Sequence, residues 1–125
     1  GEVVMSWNFA PDKPVFLQIT DAIKTKILTG EFSPDEQLPS VRAIAEEAGV
    51  NPNTVQRALT VLEQSGLVVT RGTIGRFVTA DSGKLKELID AEIGKETDVY
   101  LARVSAYGVD GEQAAQLIKS REDKI

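Results

Sequence analysis

The stretch Gly49-Val50-Asn51-Pro52-Asn53-Thr54-Val55 decides the fold. Gly49 tolerates the left-handed backbone that stops a helix. Asn51 is a strong N-cap, and Pro52 suits a first helical position because its missing N–H has no partner there anyway. Val50 and Val55 hold the spacing of a hydrophobic staple across that start. The hexamer after Gly49 is therefore a tight turn that opens a new helix, which runs to about Gln64 before Ser65-Gly66 ends it. Upstream, Ser40 stands at an N-cap position before Val41, Ile44, Ala45 and Ala48. That helix is short and stops at Gly49. Two short helices joined by a tight turn make a helix-turn-helix.

Working outward, Phe16, Ile19, Ile23 and Ile27 follow helical spacing, and the spacing predicts a helix over 15–29 with Gly30 as its stop. Residues 31–39 read as a loop carrying Pro34 and ending in Leu38-Pro39. On the other side, Leu67-Val68-Val69-Thr70 and Arg76-Phe77-Val78-Thr79 read as strands rich in β-branched residues, joined by a turn that Gly72 and Gly75 permit. A hairpin placed directly after a helix-turn-helix is a wing. Val3, Met5, Trp7 and Phe9 alternate over residues 2–9, a short extended arm ahead of Pro11 and Pro14.

Asp81-Ser82-Gly83 marks a boundary. Beyond it Leu85, Leu88, Ile89, Ile93, Tyr100, Val104 and Tyr107 trace one long helix interrupted only by Gly94 and ended by Gly108. Asp110 with Gln113 three residues on is a capping-box pattern for a last helix bearing Ala114, Leu117 and Ile118. The expected fold is mainly α with a small β-hairpin. A winged helix-turn-helix domain occupies residues 1–80, and a two-helix segment occupies residues 81–125.

Composition narrows the function. The 125 residues include no Cys and no His. Thiol nucleophiles, disulfides, imidazole acid–base catalysis and Cys/His metal sites are thereby excluded. The carboxylates lie scattered on solvated helix faces, without a paired-carboxylate or phosphate-loop arrangement, so no catalytic residue, no metal and no cofactor is expected. No apolar stretch reaches the ~20 residues a bilayer requires, and the chain does not open on a basic-then-apolar leader. A cytoplasmic protein without a membrane partner fits best. The net charge of −5 argues at first against nucleic acid, yet residues 50–79 carry Arg57, Arg71 and Arg76 against Glu63 alone. Because exposed charges are screened beyond about 8 Å at physiological salt, such a locally basic segment can still meet phosphate.

With 100° per residue along the helix from Pro52, Val55, Ala58, Leu59 and Leu62 share one face, which is the core side. Asn53, Gln56, Arg57, Thr60 and Gln64 fall opposite. That face has no acid and no large apolar group. Its amides, hydroxyl and guanidinium are the groups that bond base edges in a major groove. Arg42, at the start of the preceding helix, either meets phosphate or pairs with Glu46 one turn on. Arg71 and Arg76 flank the wing, within reach of backbone or minor groove if the hairpin is more than an ordinary one. Ser40 is a helix cap first and a phosphate contact second.

These residues resemble the GntR family of bacterial winged helix-turn-helix transcription regulators, and within it the YtrA-like branch. The resemblance is carried over residues 14–79. It runs from Pro14-Val15-Phe16-Leu17-Gln18-Ile19 through Ile27-Leu28-Thr29-Gly30-Glu31-Phe32 and Leu38-Pro39-Ser40-Val41-Arg42 to Gly49 through Val55, with Ala58, Leu62 and Gly66-Leu67 at matching spacings. It implies operator contacts at Arg42, Asn51, Asn53, Thr54, Gln56, Arg57, Arg71 and Gly75. One departure stands out. Where the family wing reads Gly-x-Gly, this chain has Thr73-Ile74-Gly75, with the first glycine missing or displaced to Gly72. The short remainder after residue 80 resembles the two-helix dimerisation segment of the YtrA-like members.

One long and one short helix cannot enclose a core alone. The stripe Leu85, Leu88, Ile89, Ile93, Tyr100, Val104, Tyr107 therefore either caps the winged domain or forms a two-fold dimer interface, with the dimer favoured. No small-molecule effector site is visible. Trp7, Tyr100 and Tyr107 suit core or interface packing. The expected function is a homodimeric, sequence-specific regulator of transcription, a repressor, on double-stranded DNA with a palindromic operator. The competing expectation is a winged-helix protein-interaction module, which calls for an acidic or apolar face where Asn53, Gln56, Arg57 and Thr60 stand.

Overall fold

Helix α1 (Val15–Leu28) follows a clamp rather than a side-chain cap. Gln18 accepts from the Ala10 N–H at 2.7 Å and donates to the carbonyls of Ala10 and Lys13 at 2.8 and 2.9 Å. The chain before the helix is thereby tied down without regular structure. The structure, a computed structural model, describes residues 7–124. The expected arm over 2–9 therefore lies outside the described residues up to Ser6. From Trp7 to Ala10 no strand forms, and the Trp7 and Phe9 rings stack with centroids 5.8 Å apart.

Ile19, Ile23 and Ile27 of α1 are buried, as their spacing predicts. Gly30 at φ 84° reverses the chain. The Phe32 N–H can then bond the Lys26 carbonyl at 3.0 Å while its ring is buried. Helix α2 (Val41–Ala48) begins at Ser40, whose Oγ accepts from Ala43 N at 3.1 Å, and ends at Gly49 in the left-handed region, φ 70°. A side chain there would strain the backbone, so glycine is the residue that lets the turn close. Helix α3 (Pro52–Gln64) begins at Asn51, whose Oδ1 accepts from Asn53 N at 2.8 Å, with Pro52 in the first turn. Val55, Ala58, Leu59 and Leu62 are at most 1% exposed, and α3 packs on α1, α2 and the first strand.

Strands β1 (Val68–Arg71) and β2 (Gly75–Val78) pair antiparallel, with Val68 opposite Val78 and Arg71 opposite Gly75. Both sit within one residue of the expected strands, and the turn tightens to residues 72–74. The loop expected over 31–39 contains a surprise. The Asp35 N–H bonds the Val78 carbonyl at 3.0 Å, the Val78 N–H the Glu36 carbonyl at 2.8 Å, and the Leu38 N–H the Arg76 carbonyl at 2.8 Å. Gln37 bridges Phe77 in the same way a strand residue would. Residues 35–38 thus satisfy the outer edge of β2, which would otherwise present unpaired backbone groups. Pro34 and Pro39 hold this segment too short to show strand alternation in sequence.

Helix α4 (Ser82–Ser105) passes through Gly94 without a break, and α5 (Gly111–Glu122) starts on the expected capping box. There Asp110 Oδ1 accepts from Gln113 N at 2.8 Å, and Gln113 Oε1 accepts from Asp110 N at 3.0 Å. By density of internal contacts the chain divides into two compact units, one ending at Lys86 and the next beginning at Glu87. Among the described residues no helix is long and apolar enough to cross a membrane.

Candidate nucleic-acid interface

Turning the aliphatic face of α3 inward leaves Asn53, Gln56, Arg57, Thr60 and Gln64 exposed on the opposite face. No acid interrupts them. Helical periodicity alone brings these residues together, and the core fixes which way they face. Thr60 Oγ1 donates to the Gln56 carbonyl at 2.9 Å, which leaves its lone pairs as acceptors. Asn51 is exposed with its oxygen committed to the cap, so its amide NH2 remains as donor, and Thr54 is half-buried.

The arginines are less free than their exposure in sequence implies. Arg42 lies against Glu46, Nε to Oε1 3.2 Å, with both side chains largely in solvent. Such a pair contributes little and yields readily to a competing phosphate. Arg71 pairs with Asp35 and stacks over Phe77, 4.3 Å from the ring centroid. Arg76 pairs with Glu63 of α3, and its side chain is only 20% exposed. Glu63 also accepts from Thr70 Oγ1 at 3.1 Å, so one carboxylate ties both strands to the helix. Arg76 is thereby held against α3. Arg57 has a different partner: its guanidinium carbon lies 3.7 Å from the centroid of the Phe16 ring.

Gly75 has φ 139°, and a Cβ there would meet Gln37 Nε2 at 2.9 Å. Gln37 donates from that atom to the Ile74 carbonyl at 2.9 Å. The shortened wing tip is thus held by a side chain from the 35–38 edge. Phe16, Asp35, Gln37 and Glu63 each touch a candidate contact or its neighbour, and local sequence alone does not point to these pairings. For Glu63 a signal existed, since it is the single acid among residues 50–79. The others act across long separations that periodicity does not register.

In the second unit, Ile93 is 59% exposed, Tyr100 37% and Ile118 48%. Together with Glu92, Glu96 and Thr97 they line a groove of about 390 Å³. Leu88, Ile89 and Val104 are half-buried. Of the expected stripe, Ile93 and Tyr100 line this groove. Leu85 is buried within the first unit, in the single chain, so it is core. Tyr107 follows the last turn of α4, where its N–H bonds the Val104 carbonyl at 2.9 Å, and its side chain stands in solvent. Among the described residues no group of His, Cys, Asp or Glu has the arrangement of a metal site.

The comparisons with known proteins agree with this geometry. Residues 16–78 match the model of the bacterial regulatory proteins, gntR family. The uncharacterized HTH-type transcriptional regulator YhcF of Bacillus subtilis is 33% identical over 93% of this chain and 96% of its own. The HTH-type transcriptional repressor YtrA of the same organism is 35% identical over 55% of this chain and 53% of its own. Among solved structures, a GntR family transcriptional regulator from Listeria monocytogenes superposes with a TM-score of 0.80 at 30% identity, covering 90% of this chain and 98% of that one. The AraR DNA-binding domain in complex with operator ORX1 shares the fold, at a TM-score of 0.57 and 23% identity over 62% of this chain and 100% of that one. With the winged helix-turn-helix assembled and the family model spanning it, the chain belongs to the gntR family of bacterial regulatory proteins and is a DNA-binding transcription regulator, not an enzyme.

Proposed function

We propose that the protein is a homodimeric repressor of the YtrA-like branch that binds a pseudo-palindromic operator in the cytoplasm. In this reading α3 lies in the major groove. Asn53, Gln56, Arg57 and Thr60 meet base edges, while Ser40, Arg42, Asn51 and Thr54 meet the backbone beside it. The wing, with Arg71 and Gly75, follows the flanking backbone or minor groove, and Arg76 anchors the wing through Glu63. The observation that carries the reading is the acid-free, exposed polar face of α3, opposite a fully buried aliphatic face.

The apolar residues left in solvent on α4 and α5 support a two-fold partnership between copies, because a chain pays for such exposure only where a second surface covers it. The branch assignment is supported by the likeness to YtrA. Selection of bound duplexes from a random-sequence pool tests the proposal. The expected product is an inverted repeat with half-sites about one helical turn apart. Failure to enrich any sequence defeats it, and an enriched single, asymmetric site defeats the homodimer.

A further inference from the structure

The first unit carries four arginines, and three of them rest against carboxylates: Arg42 on Glu46, Arg71 on Asp35, Arg76 on Glu63. Arg57 rests on the Phe16 ring instead. The difference matters for a group that has to meet DNA. A carboxylate occupies guanidinium N–H donors and must be displaced before a phosphate or a guanine edge can take its place. An aromatic ring engages only the π face. The five N–H donors lie in the guanidinium plane, so a stacked arginine keeps them directed sideways and available.

The stack also restrains a long side chain. A free arginine loses rotamer freedom when it is fixed at an interface, and that cost falls on the binding step. Phe16 lies half-buried at the start of α1, and α1 packs along α3. The ring is therefore held by the core, and the guanidinium 3.7 Å above it takes its orientation from α1 as well as from its own helix.

We propose that Phe16 is a positioning residue for DNA recognition, holding Arg57 in a preset plane at the margin of the α3 face so that its donors meet the duplex already oriented. Phe16 itself touches no DNA. The inference rests on the reading that α3 enters the major groove, and it adds a specificity element from a helix outside the helix-turn-helix.

The test uses the full chain and the duplex selected by the wild type, in a double-mutant cycle with Phe16→Leu and Arg57→Ala. Phe16→Leu is expected to raise Kd about 2- to 10-fold, the range for immobilising one rotamer-rich side chain. In the Arg57→Ala background the same change is expected to have no further effect. Phe16→Tyr, which keeps a ring face, restores most of the affinity that Phe16→Leu loses. A purely structural role for Phe16 would weaken binding equally in both backgrounds. Arg57→Lys changes only an exposed side chain, so it reports even if Phe16→Leu fails to fold. It keeps the charge but loses both the planar stack and the forked donors, and a loss of affinity at least as large as that of Phe16→Leu is expected. Equal effects of Phe16→Leu with and without Arg57, or wild-type binding by Arg57→Lys, overturn the positioning role alone. A wild type that selects no sequence overturns the groove reading, and the positioning role with it.

Discussion

In the first unit Ile19, Val55, Leu59 and Leu62 are at most 1% exposed, whereas in the second Ile93, Leu117 and Ile118 stand at 59%, 51% and 48%. Both sets are large aliphatic side chains on helices. What differs is the number of elements each helix has to lean on. Helix α3 is enclosed by α1, α2 and β1, so its apolar stripe is consumed and its polar face is presented outward by default. The second unit holds most of one long helix and one short one, and its apolar side chains outnumber what these two helices can cover by themselves. The lesson is a division of labour read from burial alone. The first unit buries its aliphatic stripe and directs a polar face outward, and the second directs apolar side chains outward, which is the chemistry of a protein–protein contact.

The contrast is most easily broken at the core. Leu59→Ala should destabilise the protein by about 2–5 kcal/mol in denaturant titration, through lost burial and the cavity left behind. Leu117→Ala, measured at concentrations where a dimer dissociates, should move the same transition far less. Equal losses at the two sites would erase the distinction between the units. Ile93→Glu attacks the other side of the comparison. Placing a charge on the exposed stripe should weaken self-association at least about tenfold in analytical ultracentrifugation while circular dichroism stays that of the folded chain. A variant that remains dimeric moves the interface elsewhere.

Smaller effects sharpen the polar face. Arg42→Ala should weaken binding to all duplexes alike and reduce the salt dependence of log K by about one unit, as loss of a single phosphate contact does. A sequence-dependent loss would make Arg42 a base reader. Glu46→Gln should act in the opposite direction, tightening binding about twofold by releasing Arg42 from a solvent-exposed pair. Unchanged affinity would mean that the pair is too weak to compete with phosphate at all.

How much was legible in advance depended on how far apart the interacting residues lie. Ser40, Gly49, Asn51 and Pro52 act within a few residues of themselves, and the observed caps and left-handed turn follow their local chemistry. The outward face of α3 was legible for the same reason, since a period of 3.6 residues converts spacing into direction. The edge formed by residues 35–38 was not, because a segment bracketed by two prolines shows no alternation. Nor was the fate of Arg57, Arg71 and Arg76, whereas the pair of Arg42 with Glu46 was open to a reading of spacing alone. Arg76 reads as a wing residue until the fold brings Glu63 beside it. Leu85 reads as part of the long stripe, yet it is buried with the first unit.

By itself, then, the sequence determined the helix boundaries, the turn at Gly49, the hairpin and the side of α3 that is polar, all consequences of short-range backbone preference and periodicity. The tertiary structure alone decided how three arginines are engaged, Arg71 and Arg76 against acids and Arg57 against a ring, whereas the Arg42–Glu46 pair follows from its one-turn spacing. The reason is physical. Coulombic and ring contacts depend on separation in space, and for Arg57, Arg71 and Arg76 that separation is set by core packing between residues far apart along the chain.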